Sequence, residues 1–227
     1  MRYNVFCMEY PEKSKELPKQ SNLLQVWLVD DDIDLCEAYY EYLSDFFCVS
    51  QRFQSSREAL ETLRKSSPQN IPDLVIVDRL MPEMDGLSLS KEIAKLRLPV
   101  AILMVSGDEH PVSEDEAESL NIIGMLQKPC SPVAILKAIQ NYGSFKKVCE
   151  SIWSETLNLC RRSIPDWEFF LGHHADIEKA FHAPTRKKAS VETAIRHLEA
   201  EIRERSIRIP PDSNLLQLLE EFRKMVG

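Results

Sequence analysis

Glycine is scarce in this chain of 227 residues: Gly86, Gly107, Gly124, Gly143, Gly172 and Gly227 are the six, and no two are close together. That rules out the phosphate loops G-x-G-x-x-G and G-x-x-x-x-G-K-[ST], whose clustered glycines let backbone N–H groups reach a phosphate. Cysteine forms no C-x-x-C pair. Cys7, Cys36, Cys48, Cys130, Cys149 and Cys160 are scattered, several within apolar segments, which points to buried free thiols in a reducing cytosol. The spacing of Cys149, Cys160, His173 and His174 fits no zinc module. No apolar run is long enough to span a bilayer, so no membrane insertion is expected. Residues 1–22 lack the apolar core of a signal peptide and turn charged early, so they read as a flexible lead-in to a cytoplasmic protein. There is no internal repeat and no low-complexity tract.

What is present is unevenly distributed. Residues 144–227 hold 14 Lys and Arg against 13 Asp and Glu, whereas the rest of the chain holds 14 against 23. The acidic part suits a cation-binding pocket and argues against a general nucleic-acid surface there. The near-neutral remainder favours no class of partner by charge alone.

From Leu23 onward, short apolar runs alternate with amphipathic segments. Strands are expected at 24–29, 47–53, 73–77, 99–105 and 124–127, and helices at 34–45, 56–65, 86–96, 112–120 and 131–142. Five strands alternating with five helices imply a doubly wound parallel α/β sheet, covered on both faces, with ligands bound beyond the carboxyl ends of its strands. Chemistry-bearing residues collect at those ends. Strand one runs into Asp30-Asp31-Asp32, strand three into Asp78, strand four into Ser106-Gly107, and strand five into Lys128-Pro129. Each alone has an ordinary reading, as a helix cap, a turn residue or a solvated charge. Together they suit phosphoryl transfer to a carboxylate. Crowded carboxylates call for a cation, and hard oxygen donors suit Mg2+ or Mn2+.

With "VDDD" at 29–32, "VDRLMPEMDGL" at 77–87, "VSG" at 105–107 and "LQKP" at 126–129, residues 24–143 resemble the receiver domain of two-component response regulators. The resemblance implies that Asp78 accepts a phosphoryl group from a sensor histidine kinase or a phosphotransfer protein. It also implies that Asp30, Asp31, Asp78 and the backbone carbonyl of Leu80 hold the metal. Ser106 and Lys128 are then the groups that gather round the phosphoryl group, and Pro82 and Gly86 form the turn after the acceptor. By the same resemblance the bond to Pro129 is cis. Met125 stands where the family often carries a switching aromatic, so that rotamer switch does not carry over. The chain reads as a switch rather than an enzyme. Phosphatases of the haloacid dehalogenase type would use Asp30-x-Asp32, Ser106 and Lys128 in the same order, but no acidic pair follows the lysine, and Asp78 lies where that pattern has no place for it.

Residues 144–227 form the expected helical output region and resemble no output module. Segment 144–160 extends the last receiver helix, and 165–172 reads as a short helix ending at Gly172. In 190–206, Ser190 stands as the N-cap, Val191, Ile195, Leu198 and Ile202 form one stripe, and Glu199–Arg203 and Glu201–Arg205 make i,i+4 pairs. Segment 212–226 opens on an Asp212 cap and carries Leu215, Leu218, Leu219 and Phe222 on one face. Arg186, Lys187, Lys188, Arg196, Arg203, Arg205 and Arg208 leave DNA open as a partner, but no recognition helix stands out. A protein partner or a homodimer is the favoured reading.

Overall fold

The computed structural model describes residues 24–46, 48–107, 112–164, 177, 180–181 and 188–226. Five strands, β1 (Gln25–Val29), β2 (Cys48–Phe53), β3 (Leu74–Asp78), β4 (Ala101–Ser106) and β5 (Ile122–Gln127), form one sheet in the order β2-β1-β3-β4-β5. Every pairing is parallel. Helices α1 (Ile33–Leu43), α2 (Ser56–Lys65), α3 (Gly86–Lys95), α4 (Glu114–Ser119) and α5 (Pro132–Ser163) alternate with the strands. Each expected receiver element is present with its ends within two residues of the reading, except that α5 runs much further.

Strand alternation builds two cores. Trp27, Val29, Val75, Val77, Ile102 and Met104 point to the face covered by α2, α3 and α4. Val26, Leu28, Leu74, Ile76, Leu103 and Val105 point to the face covered by α1 and α5. All five residues of β3 are buried, as its unbroken apolar run requires of a central parallel strand. Successive strand side chains leave the sheet on opposite sides, so such a run must be covered on both.

Beyond the sheet, the second half of α5 packs against α6 (Lys188–Glu204) and α7 (Leu215–Val226) around a third core. Val191, Ala194, Ile195 and Leu198 of α6 meet Leu215, Leu219 and Phe222 of α7 there, and Ile202 and Leu218 lie at its margin. Trp153 stacks on Phe181 at 5.9 Å, and Phe145 meets Phe222 at 5.7 Å. Because Phe145 opens the extension and Ser213, just before α7, donates to Glu155 Oε2 at 3.0 Å, α7 runs antiparallel to α5.

Three expectations about this region change. Ser190 lies inside the α6 helix, described from Lys188 onward, rather than capping it. Ser213, not Asp212, accepts the Leu215 N–H, at 3.3 Å. Its bond to Glu155 fixes it beside that amide, while Asp212 faces Arg162 at 3.6 Å. Glu199 pairs with Arg223 of α7 rather than with Arg203, because the packing of the two helices brings Arg223 across; Glu201–Arg205 is as expected, at 2.8 Å. The lead-in at 1–22, the helix at 165–172, Trp167, His173, His174, Arg186 and Lys187 lie outside the described residues. Cys36, Cys149 and Cys160 are buried thiols and Cys130 a half-buried one, none of them in a disulfide. No helix among the described residues is long and apolar enough to cross a membrane.

Candidate functional site

The carboxyl ends of β1, β3, β4 and β5 converge on one cleft because parallel strands all end on the same edge. Asp30 extends the β1 ladder by donating its N–H to Phe53 O at 3.1 Å. Asp32 leaves the cleft to cap α1, accepting the Leu35 N–H at 3.0 Å, and it donates its own N–H to Asp30 Oδ1 at 3.0 Å. The three consecutive aspartates therefore divide their work: Asp30 is 5% exposed, Asp31 is exposed, and Asp32 holds the helix. Asp78 closes β3 and is 7% exposed.

Lys128 joins these acids. Its Nζ lies 3.0 Å from Asp30 Oδ2 and 3.1 Å from Asp78 Oδ2. Carboxylate oxygens of Asp30, Asp31 and Asp78 all lie within 4.8 Å of one another. One ammonium thus pairs with two of the three clustered carboxylates. Burial pushes the Asp30 carboxyl above its ordinary range, against the hydrogen bonds from Lys128 and the Asp32 amide. Burial works the other way on Lys128, yet the two carboxylates outweigh it and hold the ammonium above its usual value. Three clustered carboxylates with one ammonium leave net negative charge in the cleft, which suits a further cation.

The remaining expected residues fall around this cluster. Ser106 ends β4, is buried, and accepts the Lys128 N–H on its backbone oxygen at 2.7 Å. The Lys128–Pro129 peptide bond is cis. Leu80, two residues after Asp78, is 58% exposed. The loop after Asp78 is tight: Glu83 has φ 65°, the Met84 N–H donates to Pro82 O at 2.7 Å, and the Gly86 N–H donates to Arg79 O at 2.9 Å. Gly86 is required there, since a Cβ would stand 2.3 Å from the carbonyl oxygen of Asp78. Asp85 then caps α3 through the Ser88 N–H. Met125 is half-buried on β5 opposite Met104 and packs against the core beneath α3 and α4.

Tyr39 was missed from sequence. Its hydroxyl donates to Cys130 O at 3.1 Å, tying α1 to the loop that follows Lys128, and burial pushes its pKa up to about 12. Tyr39 and Cys36 also line the floor of the cleft with Leu28, Val29, Ile76 and Val105. The inward stripe Cys36, Tyr39, Leu43 was readable from spacing; the partner of the hydroxyl, 91 residues away, was not.

A family model for the response regulator receiver domain matches residues 26–140. The chain belongs to that family. It is 35% identical over 102 residues to the two-component response regulator ARR13 of Arabidopsis thaliana, covering 45% of this chain and 17% of that protein. Against the response regulator SaeR of Staphylococcus aureus it is 26% identical over 117 residues, covering 50% of this chain and 48% of SaeR. Against the transcriptional regulatory protein CiaR of Streptococcus pneumoniae it is 24% identical over 107 residues, covering 47% and 46%. In each case the match takes in less than half of the relative's length. Among solved structures, the signal receiver domain of the response regulator NarL from Mycobacterium tuberculosis superposes with a TM-score of 0.46 at 25% identity, covering 52% of this chain and 94% of that one. The family match favours the receiver ordering of these motifs over the dehalogenase-type ordering: residues 26–140 are a response regulator receiver domain. Receiver domains are in general switches that bind Mg2+ at an acidic pocket, and their partners are histidine kinases. The helical region beyond residue 140 lies outside the family match.

Proposed function

We propose that this response regulator is a cytoplasmic phosphorylation switch in which Asp78 receives the phosphoryl group, within a receiver unit of residues 23–143. The observation that carries the reading is the position of Lys128, whose Nζ bridges Asp30 and Asp78 at 3.0 and 3.1 Å. A carboxylate held at a strand end beside an ammonium is placed to attack, and the ammonium is placed to meet the incoming charge. An oxygen of Asp78 bonds to phosphorus as the bond from phosphorus to the donor's imidazole nitrogen breaks, and the nitrogen keeps the electron pair. The donor is a sensor histidine kinase or a phosphotransfer protein. Lys128 then pairs with the phosphoryl oxygens, and the Ser106 hydroxyl donates to one of them.

The donor set fits Mg2+ or Mn2+: the carboxylates of Asp30, Asp31 and Asp78 are hard oxygen ligands clustered within 4.8 Å, and exposed Asp31 leaves one side open to water. The Leu80 backbone carbonyl completes the set. When bound, the cation supplies neutralising charge to the phosphoryl oxygens. Pro82, Gly86 and Pro129 shape the turns that hold the acceptor and the lysine. Met125, unbranched and polarizable, repacks where the family often carries an aromatic. The protein turns over no external substrate in this reading beyond its own phosphorylation and slow dephosphorylation.

For residues 144–227 we propose an output surface that binds a protein partner or pairs with a second copy. The pairs Glu199–Arg223 and Glu201–Arg205 support it over DNA binding, because they neutralise arginines that a phosphate backbone would need free. Incubation with Mg2+ and acetyl phosphate, followed by intact mass measurement, tests the switch. The expected result is one added phosphoryl mass that disappears in Asp78→Ala and on chelation of the metal. An added mass that survives Asp78→Ala would refute the assignment.

A further inference from the structure

Helix α5 runs unbroken for 32 residues through both halves of the molecule. Ile135, Ile139, Tyr142, Lys146, Cys149, Trp153, Thr156 and Cys160 follow one another at alternating intervals of four and three, so they form a single stripe. Ile135, Ile139 and Tyr142 lie in the core beneath the sheet, whereas Cys149 and Trp153 lie in the core of the helical region. Where one core gives way to the other, the stripe carries a lysine. A charge at that position has no use in packing, so its partner matters.

That partner is Asp73. Lys146 Nζ is ion-paired with Asp73 Oδ1, and the two side chains are only 20% and 29% exposed. The other carboxylate oxygen of Asp73 accepts the Gln25 N–H at 2.9 Å, while its backbone N–H donates to Gln25 O at 2.9 Å and its carbonyl accepts the Ala101 N–H at 3.1 Å. Asp73 is therefore fixed to the starts of β1, β3 and β4, on the edge of the sheet opposite the acidic cleft. Glu150, one turn further along α5, is the other carboxylate facing Lys146, at 3.9 Å. Nearby, Gly143 lets the helix pass close to Leu24, whose Cδ1 would stand 2.9 Å from a Cβ. These contacts hold the helix to the base of the sheet where a glycine would otherwise let it flex.

We infer that the Lys146–Asp73 pair is a positioning contact: it seats the helical region in one orientation on the receiver and makes the two respond as one cooperative unit. Half-buried ion pairs contribute modestly to stability, and their best-attested use is to select one register among several apolar alternatives. A stripe of apolar residues could slide or swing against its neighbours; a lysine that must meet one fixed carboxylate cannot. Since Asp73 immediately precedes β3 and Asp78 closes it, the strand carrying the candidate acceptor also carries the contact that seats the helices. The inference rests on packing and does not need Asp78 to be phosphorylated.

Hydrogen exchange by mass spectrometry on the full chain tests it. Lys146→Met keeps the length and helix propensity of the side chain and removes the charge; Lys146→Arg keeps the charge. In Lys146→Met, amides of α7 and of residues 148–160 should exchange about tenfold faster or more while those of β4 change little, and Lys146→Arg should behave as the parent. Equal acceleration of β4 and α7 would show that the pair adds only global stability, and no change in either would show that it does nothing; both outcomes overturn the inference. If Lys146→Met fails to fold, Asp73→Asn, which retains an acceptor for the Gln25 N–H, is read by the same criteria.

Discussion

The two halves of this chain bury different things. Among the described residues, the receiver buries Asp30, Ser56, Asp78, Ser90 and Ser106, and the helical region buries one polar side chain, Thr156. Thr156 is satisfied within its own helix, donating to Ile152 O at 2.8 Å. Two of the receiver's buried polar groups are carboxylates that share one ammonium. Burying charge costs free energy unless it is paired, so a fold that keeps such a cluster uses it for chemistry or binding. The helical region has no comparable cluster among its described residues, and its core is built by apolar packing. One half holds a charged cluster and the other is built by apolar packing, so under the proposed function reaction and output lie apart.

The sharpest way to break that division is to damage the helical core. Phe222→Ala should cost about 3–5 kcal/mol in urea unfolding, as truncation of a fully buried aromatic does, while molecules that remain folded still take a phosphoryl group from acetyl phosphate. Loss of labelling in folded protein would show that the site depends on the helices. The receiver counterpart is Gly86→Ala. Its Cβ would meet backbone rather than a side chain that can move, so about 1–3 kcal/mol should be lost, and labelling should fall with it because the obstructed carbonyl belongs to Asp78.

A smaller effect sharpens the comparison at a helix end. Asp85→Ala removes the α3 cap and should cost about 1 kcal/mol at neutral pH. Burial raises the Asp85 carboxyl, but the hydrogen bonds from Ser88 and the nearby charge of Lys91 outweigh it and hold the carboxyl below its ordinary range. The ionised form is thus favoured in the folded state. Its contribution is complete above the ordinary carboxylate value of about 4 and is lost as pH falls through the lowered one. The stability gap between wild type and Asp85→Ala, measured by thermal unfolding, should therefore narrow on acidification below about pH 4. The smallest change belongs to Gly143→Ala. The obstructing atom is the movable end of Leu24, and alanine gains helix propensity, so the net shift in urea unfolding should stay within about 1 kcal/mol.

The receiver was legible in sequence because its signals are local. An apolar run ending in an acid marks a central strand with a residue at its carboxyl edge, and four such ends place a site without any long-range contact being known. Asp30, Asp78, Ser106 and Lys128 all reach the cleft for this reason. What was not legible depends on distance in the chain. The Tyr39 hydroxyl meets a carbonyl in a loop that follows the last strand. Nothing local in the sequence links Lys146 to its partner at residue 73, which comes alongside only in the fold. The α7 cap moved from Asp212 to Ser213 because Glu155, far back on α5, orients the serine. In the helical region, periodicity identified the buried faces of α6 and α7, since amphipathic stripes are also local, but it could not pair Glu199 with Arg223 across two helices.

The central claim is that Asp78 is where the signal enters. Acetyl phosphate and Mg2+, followed by borohydride reduction of the acyl phosphate and peptide mass mapping, would test it most directly. Conversion of Asp78 to homoserine, and of no other aspartate, is the predicted result. Reduction at Asp30, Asp31 or any residue outside the cleft, with Asp78 unchanged, would contradict it.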